Sequence, residues 1–327
     1  MRCVAFPGPQ CSRVSKSTVL ALAFISTAAG LSAPVTRDAA VVVPGFLEGA
    51  AEFVGVAEAL RRRGIPATVA PIHRWHWIPC LGGRSVRPIL ARIDHACAYA
   101  TTAEKLDVVA PFSTYTAADL VSDFVNNPGG VLKAGGSADP DEFPYVEPRG
   151  SFGAFNGRER RRGCSIVGHS AAGWISRIYL SEEKYGGHSH RGLARGVRRL
   201  VTLGSPHAAS DGVAFANVAW ARREPAPVEA LAVAGAGFRG DDSGSFTCDS
   251  YEFCGLSKDE AATADGDGVT PLSSALDFAG AERLTLAGTT IHAANLPSFL
   301  SPELAESDAA WYGDEARIDE WARFLVD

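Results

Sequence analysis

The sequence predicts an α/β fold with helices on both faces of a mostly parallel central sheet. The first observation is the continuous apolar run 39–43, rich in β-branched residues, which is typical of a strand buried on both faces. A helical pattern over 51–63 and a second strand pattern over 65–71 follow, giving the β-α-β spacing of a parallel sheet. The third observation is the run 164–180, which predicts a strand, a sharp turn and a helix.

Composition and charge narrow the class of protein. The 327 residues are 46% hydrophobic and 21% charged, which is ordinary for a globular protein with one large domain. The formal net charge is −6 and there is no basic tract, which argues against nucleic acid as a partner.

The first 37 residues have the pattern of a targeting peptide. No acidic residue precedes Asp38, and the uncharged stretch 17–36 has an apolar centre followed by small residues. This is typical of a cleaved secretory or organellar leader, although its length would also allow a membrane anchor. We therefore expect residues 1–37 to be the targeting peptide and residues 38–327 to be the folded domain.

Cysteine usage does not settle the compartment. Of the seven cysteines, only Cys248 and Cys254 are placed for a local disulfide, and the set is no disulfide framework.

Further elements follow in chain order before the turn at 168–172. The aromatic cluster 74–77 could line an apolar pocket, but we expect it rather to pack a loop against the domain. A helix is expected over 86–100. Residues 126–163 are rich in Gly, Pro, Asp and Arg and predict a surface insertion.

After the turn, a strand is expected over Val197–Leu203. Residues 208–247 are rich in Ala and Gly, and they are expected to form a lid over the sheet's carboxyl edge. Another strand is expected over 251–256, the last strand over 283–287, and an amphipathic helix over 318–326.

The run 168–172 marks Ser170 as a candidate nucleophile. A residue held in a strained turn needs small neighbours two positions away on either side, and Gly168 and Ala172 fill those positions. Such a turn lifts Ser170 Oγ above the sheet edge and directs the first N–H groups of the next helix at its target. The alternative is a chance pentapeptide in a chain with 34 glycines. The arrangement resembles the nucleophile elbow of the α/β-hydrolases, except that Ala172 stands where their signature has glycine.

That resemblance implies the rest of a catalytic triad. A serine hydroxyl needs a neighbouring base to take its proton. In α/β-hydrolases the chain order is nucleophile, acid, histidine, and His292 alone of the eight histidines follows the acidic loop 265–268. His169, beside the candidate nucleophile, is expected to pack away from the chemistry.

The acidic loop offers two candidates for the residue that orients His292. Asp267 is favoured over Asp265 because it lies closer to the apolar anchors of the loop, which leaves Asp265 to cap the turn. A calcium site is disfavoured because the later ligands of an EF-hand are absent. The oxyanion donors are expected to be the N–H groups of Ala171 and Phe46, since Pro44 has none.

Four motifs extend the resemblance to lipases and esterases of the α/β-hydrolase superfamily: residues 43–46, 168–173, 202–207 and 266–271. The Gly-Asp-Gly-Val-Thr-Pro loop is similar to the lipase acid loop with its aspartate at position 267. Segments 74–77, 87–93, 311–313 and 320–321 more closely resemble an uncharacterised plant and algal group of plastid-targeted hydrolases, distantly related to GPI inositol-deacylases. The likeness covers 39–327, apart from Ala172 and the stretch 126–163.

This resemblance implies a serine carboxylic-ester hydrolase that forms an acyl-enzyme on lipid acyl esters, without a cofactor or metal. Two alternatives stay open: an acyltransferase with the same triad, and a catalytically silent hydrolase fold that only binds. The expected partners are a small-molecule or lipid ester and, peripherally, membrane lipid. The plastid is the favoured location, with the secretory pathway as the alternative.

Overall fold

The computed structural model describes residues 37–112, 115–125, 127, 158–186, 196–212, 215–240, 245–296 and 301–326. Residues 1–36 of the expected targeting peptide lie outside the described residues, as does most of the expected insertion at 126–163. Within the described ranges, no helix combines the length and apolar character that crossing a bilayer requires.

Nine strands occur in the described residues. They are β1 (Ala39–Val43), β2 (Ala67–Val69), β3 (Cys164–His169), β4 (Val197–Leu203), β5 (Glu229–Ala236), β6 (Phe238–Arg239), β7 (Asp265–Gly266), β8 (Glu282–Ile291) and β9 (Ala310–Trp311). Seven form one sheet in the order β2-β1-β3-β4-β5-β8-β9, and every neighbouring pair is parallel. Strands β6 and β7 form a separate antiparallel pair.

The described helices connect and flank these strands. They are α1 (Val54–Arg62), α2 (Arg87–Thr102), α3 (Ala117–Val125), α4 (Ala171–Leu180), α5 (Ala216–Ala221), α6 (Phe246–Phe253), α7 (Lys258–Thr263), α8 (Leu272–Ala275), α9 (Pro302–Ala305) and α10 (Glu315–Trp321). Short 3₁₀ turns at Ala50–Phe53, Arg74–Cys80 and Ala322–Leu325 complete the order.

Two apolar layers cover the sheet, one on each face. In β1, Val41 and Val43 belong to one core while Ala40 and Val42 belong to the other, because successive side chains of a strand point to opposite faces. Helices α2 and α4 contribute to the first core, and α1 and α10 contribute to the second. The expected α/β architecture with helices around a parallel sheet is therefore confirmed.

The lid expected over 208–247 is wrong in its second half. Strand β5 lies there, and it pairs with β4 and β8 inside the sheet. Its sequence is Glu-Ala-Leu-Ala-Val-Ala-Gly-Ala, in which Val233 is the single β-branched residue, so it lacks the β-branched run that indicates a buried strand. Packing explains the small residues, since a Cβ at Gly235 would lie 2.9 Å from the side chains of both Thr290 and Tyr312.

Three other expectations need correction. The strand expected over 251–256 falls on the end of helix α6 and on the turn that follows it. Helix α6 begins after Ser245, whose Oγ accepts a hydrogen bond from the N–H of Cys248. The strand expected over 283–287 is the longer β8, and it is not the last, because β9 follows. The helix expected over 318–326 begins earlier, as α10, and ends in a 3₁₀ turn.

The suggested disulfide is also wrong. Cys248 and Cys254 are both buried, and no disulfide joins them. Cys248 lies within α6 and Cys254 directly follows it, and residues six apart on a helix do not share a face.

Trp321 offers a test of the second core. Its side chain is fully buried, and its Nε1–H donates to the carbonyl oxygen of Tyr312 at 3.0 Å. Trp321→Ala is expected to lower the free energy of unfolding by about 3–5 kcal/mol, because a large cavity replaces the indole. Trp75→Ala is the control, since Trp75 is 53% exposed and should cost about 0.5 kcal/mol. Urea unfolding measures both, and equal losses would contradict this packing.

Candidate active site

Ser170 occupies a strained turn between β3 and α4. Its backbone has φ 51° and ψ −126°, a region that residues other than glycine rarely adopt. Such a conformation costs on the order of 1–3 kcal/mol, so the surrounding structure must impose it. One such constraint is the hydrogen bond from the N–H of Ser170 to the carbonyl oxygen of Leu203, at 2.9 Å.

Small residues around Ser170 are required by close backbone contacts. A Cβ at Gly168 would lie 2.9 Å from the backbone of Ala172 and of Gly173. Ala172 itself is accommodated, fully buried, in the place where the signature has glycine. The tight contact with the segment after β4 falls instead on Gly173, where a Cβ would overlap Ser205 Oγ.

His292 and Asp267 form a buried hydrogen-bonded pair. The Nδ1–H of His292 donates to Asp267 Oδ2 at 2.8 Å, and the main-chain N–H of His292 donates to the Asp267 carbonyl oxygen at 3.0 Å. Asp267 has no exposed surface, and His292 is 5% exposed. Because Nδ1 carries the proton, Nε2 is the basic nitrogen of the neutral ring.

Three further donors hold the Asp267 carboxylate. Oδ1 accepts from the N–H groups of Val269 at 3.0 Å and Thr270 at 2.7 Å, and Oδ2 accepts from the Tyr312 hydroxyl at 2.8 Å. Burial, and then the charge of Asp267, raise the pKa of Tyr312, so that its hydroxyl remains a donor. The Tyr312 hydroxyl oxygen in turn accepts a hydrogen bond from the N–H of Gly235 at 2.7 Å.

The two candidate acids, Asp265 and Asp267, have different hydrogen-bond partners in the structure. Asp265 lies in β7, and its Oδ1 accepts a hydrogen bond from the N–H of Gly237 at 2.7 Å. It therefore braces the chain between β5 and β6, while Asp267 holds His292.

Ser170 and His292 follow the carboxyl ends of parallel strands, so they meet at one edge of the sheet. His169, which directly precedes Ser170, contacts His292: Nε2 of His169 lies 2.7 Å from the His292 carbonyl oxygen, and the ring centroids are 4.9 Å apart. The expectation that His169 packs away from the chemistry is wrong. Its ring supports the main chain of the candidate base.

The loop after β1 also reaches this edge. A Cβ at Gly45 would lie 2.9 Å from Ser170 Cβ, so only glycine permits the approach. The loop is a tight turn, in which the N–H of Glu48 donates to the Gly45 carbonyl oxygen at 3.1 Å and the N–H of Gly45 donates to Glu48 Oε2 at 2.8 Å. Leu47 in this turn has φ 58°.

Both expected oxyanion donors belong to residues at this edge. Phe46 follows Gly45, and Ala171 is the first residue of α4, where N–H groups have no acceptor within the helix. Phe46 and Ala171 line the same cavity.

That cavity has a volume of about 460 Å³ and a mainly apolar wall. It is lined by Phe46, Trp77, Cys80, Leu81, Gly82, Gly83, Val86, Ala171, Trp174, Pro206, Ala209, Phe215, Asn217, Val218, Ser250, Phe253, Cys254, Val269 and Thr270.

The two tryptophans of the aromatic cluster 74–77 have different environments. Trp77 is buried, donates from Nε1 to the Glu48 carbonyl oxygen at 3.2 Å, and packs edge-on to Phe46 with ring centroids 5.5 Å apart. It therefore both packs its loop and lines the cavity, whereas Trp75 is exposed.

Sequence reasoning missed Glu48 and Tyr312 as members of the site. Tyr312 stands in a segment, 311–313, that only a family resemblance singled out. Glu48 follows a recognised loop, but its partner His169 is 121 residues away, and no local pattern links the two.

Two comparisons with known proteins identify no relative of this chain. Neither a scan against protein-family models nor a search of curated proteins gives a match for the chain.

Gly204 tests how tightly the Asp267 pocket is closed. Gly204 has φ 56°, and a Cβ there would lie 2.6 Å from Asp267 Oδ2 and 2.9 Å from the Tyr312 ring. Gly64→Ala is the control, because Gly64 has φ 74° but only the end of the Arg37 side chain nearby. Both variants pay backbone strain of about 1–2 kcal/mol, and we expect Gly204→Ala to lose about 1–3 kcal/mol more through overpacking. Urea unfolding decides, since equal losses would mean that the pocket has room.

Proposed function

We propose that the protein is a serine carboxylic-ester hydrolase with the α/β-hydrolase fold. The observation that carries this is the buried Asp267–His292 pair in contact with His169, the residue before Ser170, which is held at positive φ between a strand and a helix. The strand order β2-β1-β3-β4-β5-β8, with these residues following β3, β7 and β8, supports the proposed fold.

The residues have distinct roles in the proposed reaction. Ser170 Oγ attacks the ester carbonyl carbon while His292 Nε2 takes the hydroxyl proton, and Asp267 stabilises the resulting imidazolium. The carbonyl oxygen becomes an oxyanion that accepts hydrogen bonds from the N–H groups of Phe46 and Ala171. When the carbon–oxygen bond of the leaving group breaks, His292 gives that proton to the departing alcohol, which leaves an acyl-enzyme on Ser170.

Water then completes the cycle. His292 takes a proton from the attacking water, the tetrahedral intermediate collapses, and Ser170 Oγ leaves with that proton. Free acid and unmodified enzyme result. Hydrolysis, with water as the acceptor of the acyl group, is therefore the reaction we propose.

The cavity supports lipid acyl esters as substrates. A cavity of about 460 Å³ with a mainly apolar wall, lined by both residues that carry the candidate oxyanion donors, suits the acyl chain of an ester better than a charged group. Phe46, Leu81 and Phe253 line the cavity and are also 46%, 39% and 59% exposed. Such exposed apolar side chains support peripheral contact with lipid.

A fluorophosphonate probe tests the nucleophile. Wild-type protein is expected to take up one equivalent at Ser170, and Ser170→Ala is expected to take up none and to lose several orders of magnitude in rate. Ser273→Ala is the control, because Ser273 is an exposed serine of α8. Rates with p-nitrophenyl esters of increasing chain length then define the acyl preference. Stoichiometric labelling of Ser170→Ala would refute the assignment, and an inert wild-type protein would favour the binding alternative.

Asp267→Asn and Asp265→Asn form a matched pair of variants in one loop. Asp267→Asn is expected to keep the fold and to lower kcat by about 10⁴-fold, because an amide favours the wrong imidazole tautomer. Asp265→Asn should change kcat little, since its partner is the N–H of Gly237. Ester hydrolysis rates at matched circular dichroism decide between them. The reverse ranking would assign the acid to Asp265.

A further inference from the structure

A second carboxylate–histidine pair lies beside the first. Glu48 Oε2 lies 2.8 Å from His169 Nδ1 and accepts the N–H of Gly45 at 2.8 Å. The other ring nitrogen of His169, Nε2, lies 2.7 Å from the carbonyl oxygen of His292. One carboxylate oxygen and one imidazole thus join the loop of Phe46, the residue before Ser170 and the main chain of the candidate base.

The partners of His169 fix its protonation. A carbonyl oxygen only accepts, so Nε2 must carry a proton, and a carboxylate oxygen that already accepts from Gly45 requires a proton on Nδ1 as well. With both nitrogens protonated, His169 is an imidazolium facing the Glu48 carboxylate. The histidine side chain is 1% exposed and that of Glu48 is 22% exposed, so water screens the pair weakly.

The titration of both groups agrees with this geometry. Burial lowers the pKa of His169. The charge and hydrogen bond of Glu48 and the hydrogen bond to the His292 carbonyl raise it by more than burial lowers it, so the pKa of His169 lies above its usual 6.5. Burial raises the pKa of Glu48, but the charge and hydrogen bond of His169 bring it below its usual 4.5. Each group thus favours the charged form of the other, in the direction that their hydrogen bonds require. The ion pair is lost at low pH as Glu48 takes a proton and at high pH as His169 releases one.

We propose that Glu48 and His169 are a positioning pair, which holds the oxyanion loop, Ser170 and His292 in one reactive arrangement. This inference rests on the proposed hydrolase function and deepens it. Neither residue touches the reacting atoms in this scheme; each acts through a neighbour. The pair joins three loops from distant parts of the chain, and misplacement by about 1 Å can cost on the order of 10²-fold in rate.

The charge of Glu48 has a second consequence for catalysis. His292 becomes a cation when it takes the Ser170 proton, and the His169 ring centroid is only 4.9 Å from that of His292. An unpaired imidazolium there would oppose the second positive charge. The negative charge of the Glu48 carboxylate balances the positive charge of the His169 ring and so reduces this repulsion. The other groups facing the His169 ring are Asp267, which adds negative charge, and the uncharged rings of Phe53, Trp311 and Tyr312.

Glu48→Gln tests the pair, with Glu52→Gln as its control. Glu52 lies four residues on, and its Oε2 accepts the N–H of Gly49 at 2.9 Å, just as Glu48 accepts that of Gly45. Its other oxygen, however, pairs with Arg74 at the surface, not with a buried histidine. The two variants thus remove the same charge from the same turn pattern, and only one breaks the His169 ion pair.

We expect Glu48→Gln to lower kcat for p-nitrophenyl butyrate by at least about tenfold, with KM changed less than about threefold because the cavity wall is intact. The rate of fluorophosphonate labelling should fall with kcat. The alkaline limb of the pH–rate profile should move to lower pH, because His169 loses the carboxylate that raises its pKa. Glu52→Gln should match wild type in all three measurements.

The outcomes separate this inference from the proposed function. A wild-type protein that fails to label overturns the proposed function and the positioning role with it. A wild-type protein that labels, with Glu48→Gln within about twofold of its rate, overturns the positioning role alone.

Nitrogen-15 NMR of the histidine rings in wild-type protein tests the pair without any variant, should Glu48→Gln fail to fold. Two ring N–H protons on His169 at pH 7 are expected. A neutral His169 ring at that pH would overturn the ion pair and the positioning role that depends on it.

Discussion

The constraint on which the site depends is the burial of the Asp267 carboxylate. A carboxylate without contact to water must have its oxygens satisfied by the protein, because each missing hydrogen bond leaves an expensive buried charge. Here four donors meet it, from Val269, Thr270, His292 and Tyr312. Each donor determines the place of an element. The two N–H groups shape the loop after β7, the imidazole follows β8, and the phenol follows β9.

The same requirement explains why residues near the carboxylate are small. Gly204 leaves the space in which Asp267 Oδ2 and the Tyr312 ring approach the end of β4. Gly235 gives its N–H to the Tyr312 hydroxyl and has no room for a side chain. The glycine at position 235 of β5, a strand whose small residues conceal it in the sequence, is therefore a consequence of packing around Tyr312 and the Asp267 carboxylate.

The sequence could predict those parts of the fold and of the candidate site that depend on local pattern. Strand β1 is a short apolar run, β3 and β4 each contain one, and the strand–turn–helix around Ser170 is visible within ten residues. Strand β5 was missed because small residues lack that pattern. Helix α6 was missed because Phe246, Tyr251 and Phe253 are residue types enriched in strands, although Ser245 offered a helix N-cap.

The contacts that the sequence could not predict join distant segments. Glu48 meets His169 and Tyr312 meets Asp267 only because the parallel strands bring their carboxyl ends to one edge. Residue type gives no indication of such a pairing, since Glu48 resembles any polar turn residue and His169 resembles any buried histidine. Asp265 and Asp267 lie two positions apart in one loop, and the structure gives them different partners, the N–H of Gly237 for Asp265 and the ring of His292 for Asp267.

The loop after β1 shows how these constraints combine in very few residues. Gly45 allows contact with Ser170, Phe46 lines the cavity, and the Glu48 carboxylate binds His169 while its carbonyl oxygen accepts from Trp77. Trp77 in the cavity wall thus lies one residue away from the ion pair beside His292. The same backbone turn supports both the cavity wall and that ion pair. In the proposed reaction, an acyl chain seated against Phe46 and Trp77 would pack on the same turn whose Glu48 carboxylate holds His169, so one short loop would serve both the cavity and the geometry around Ser170.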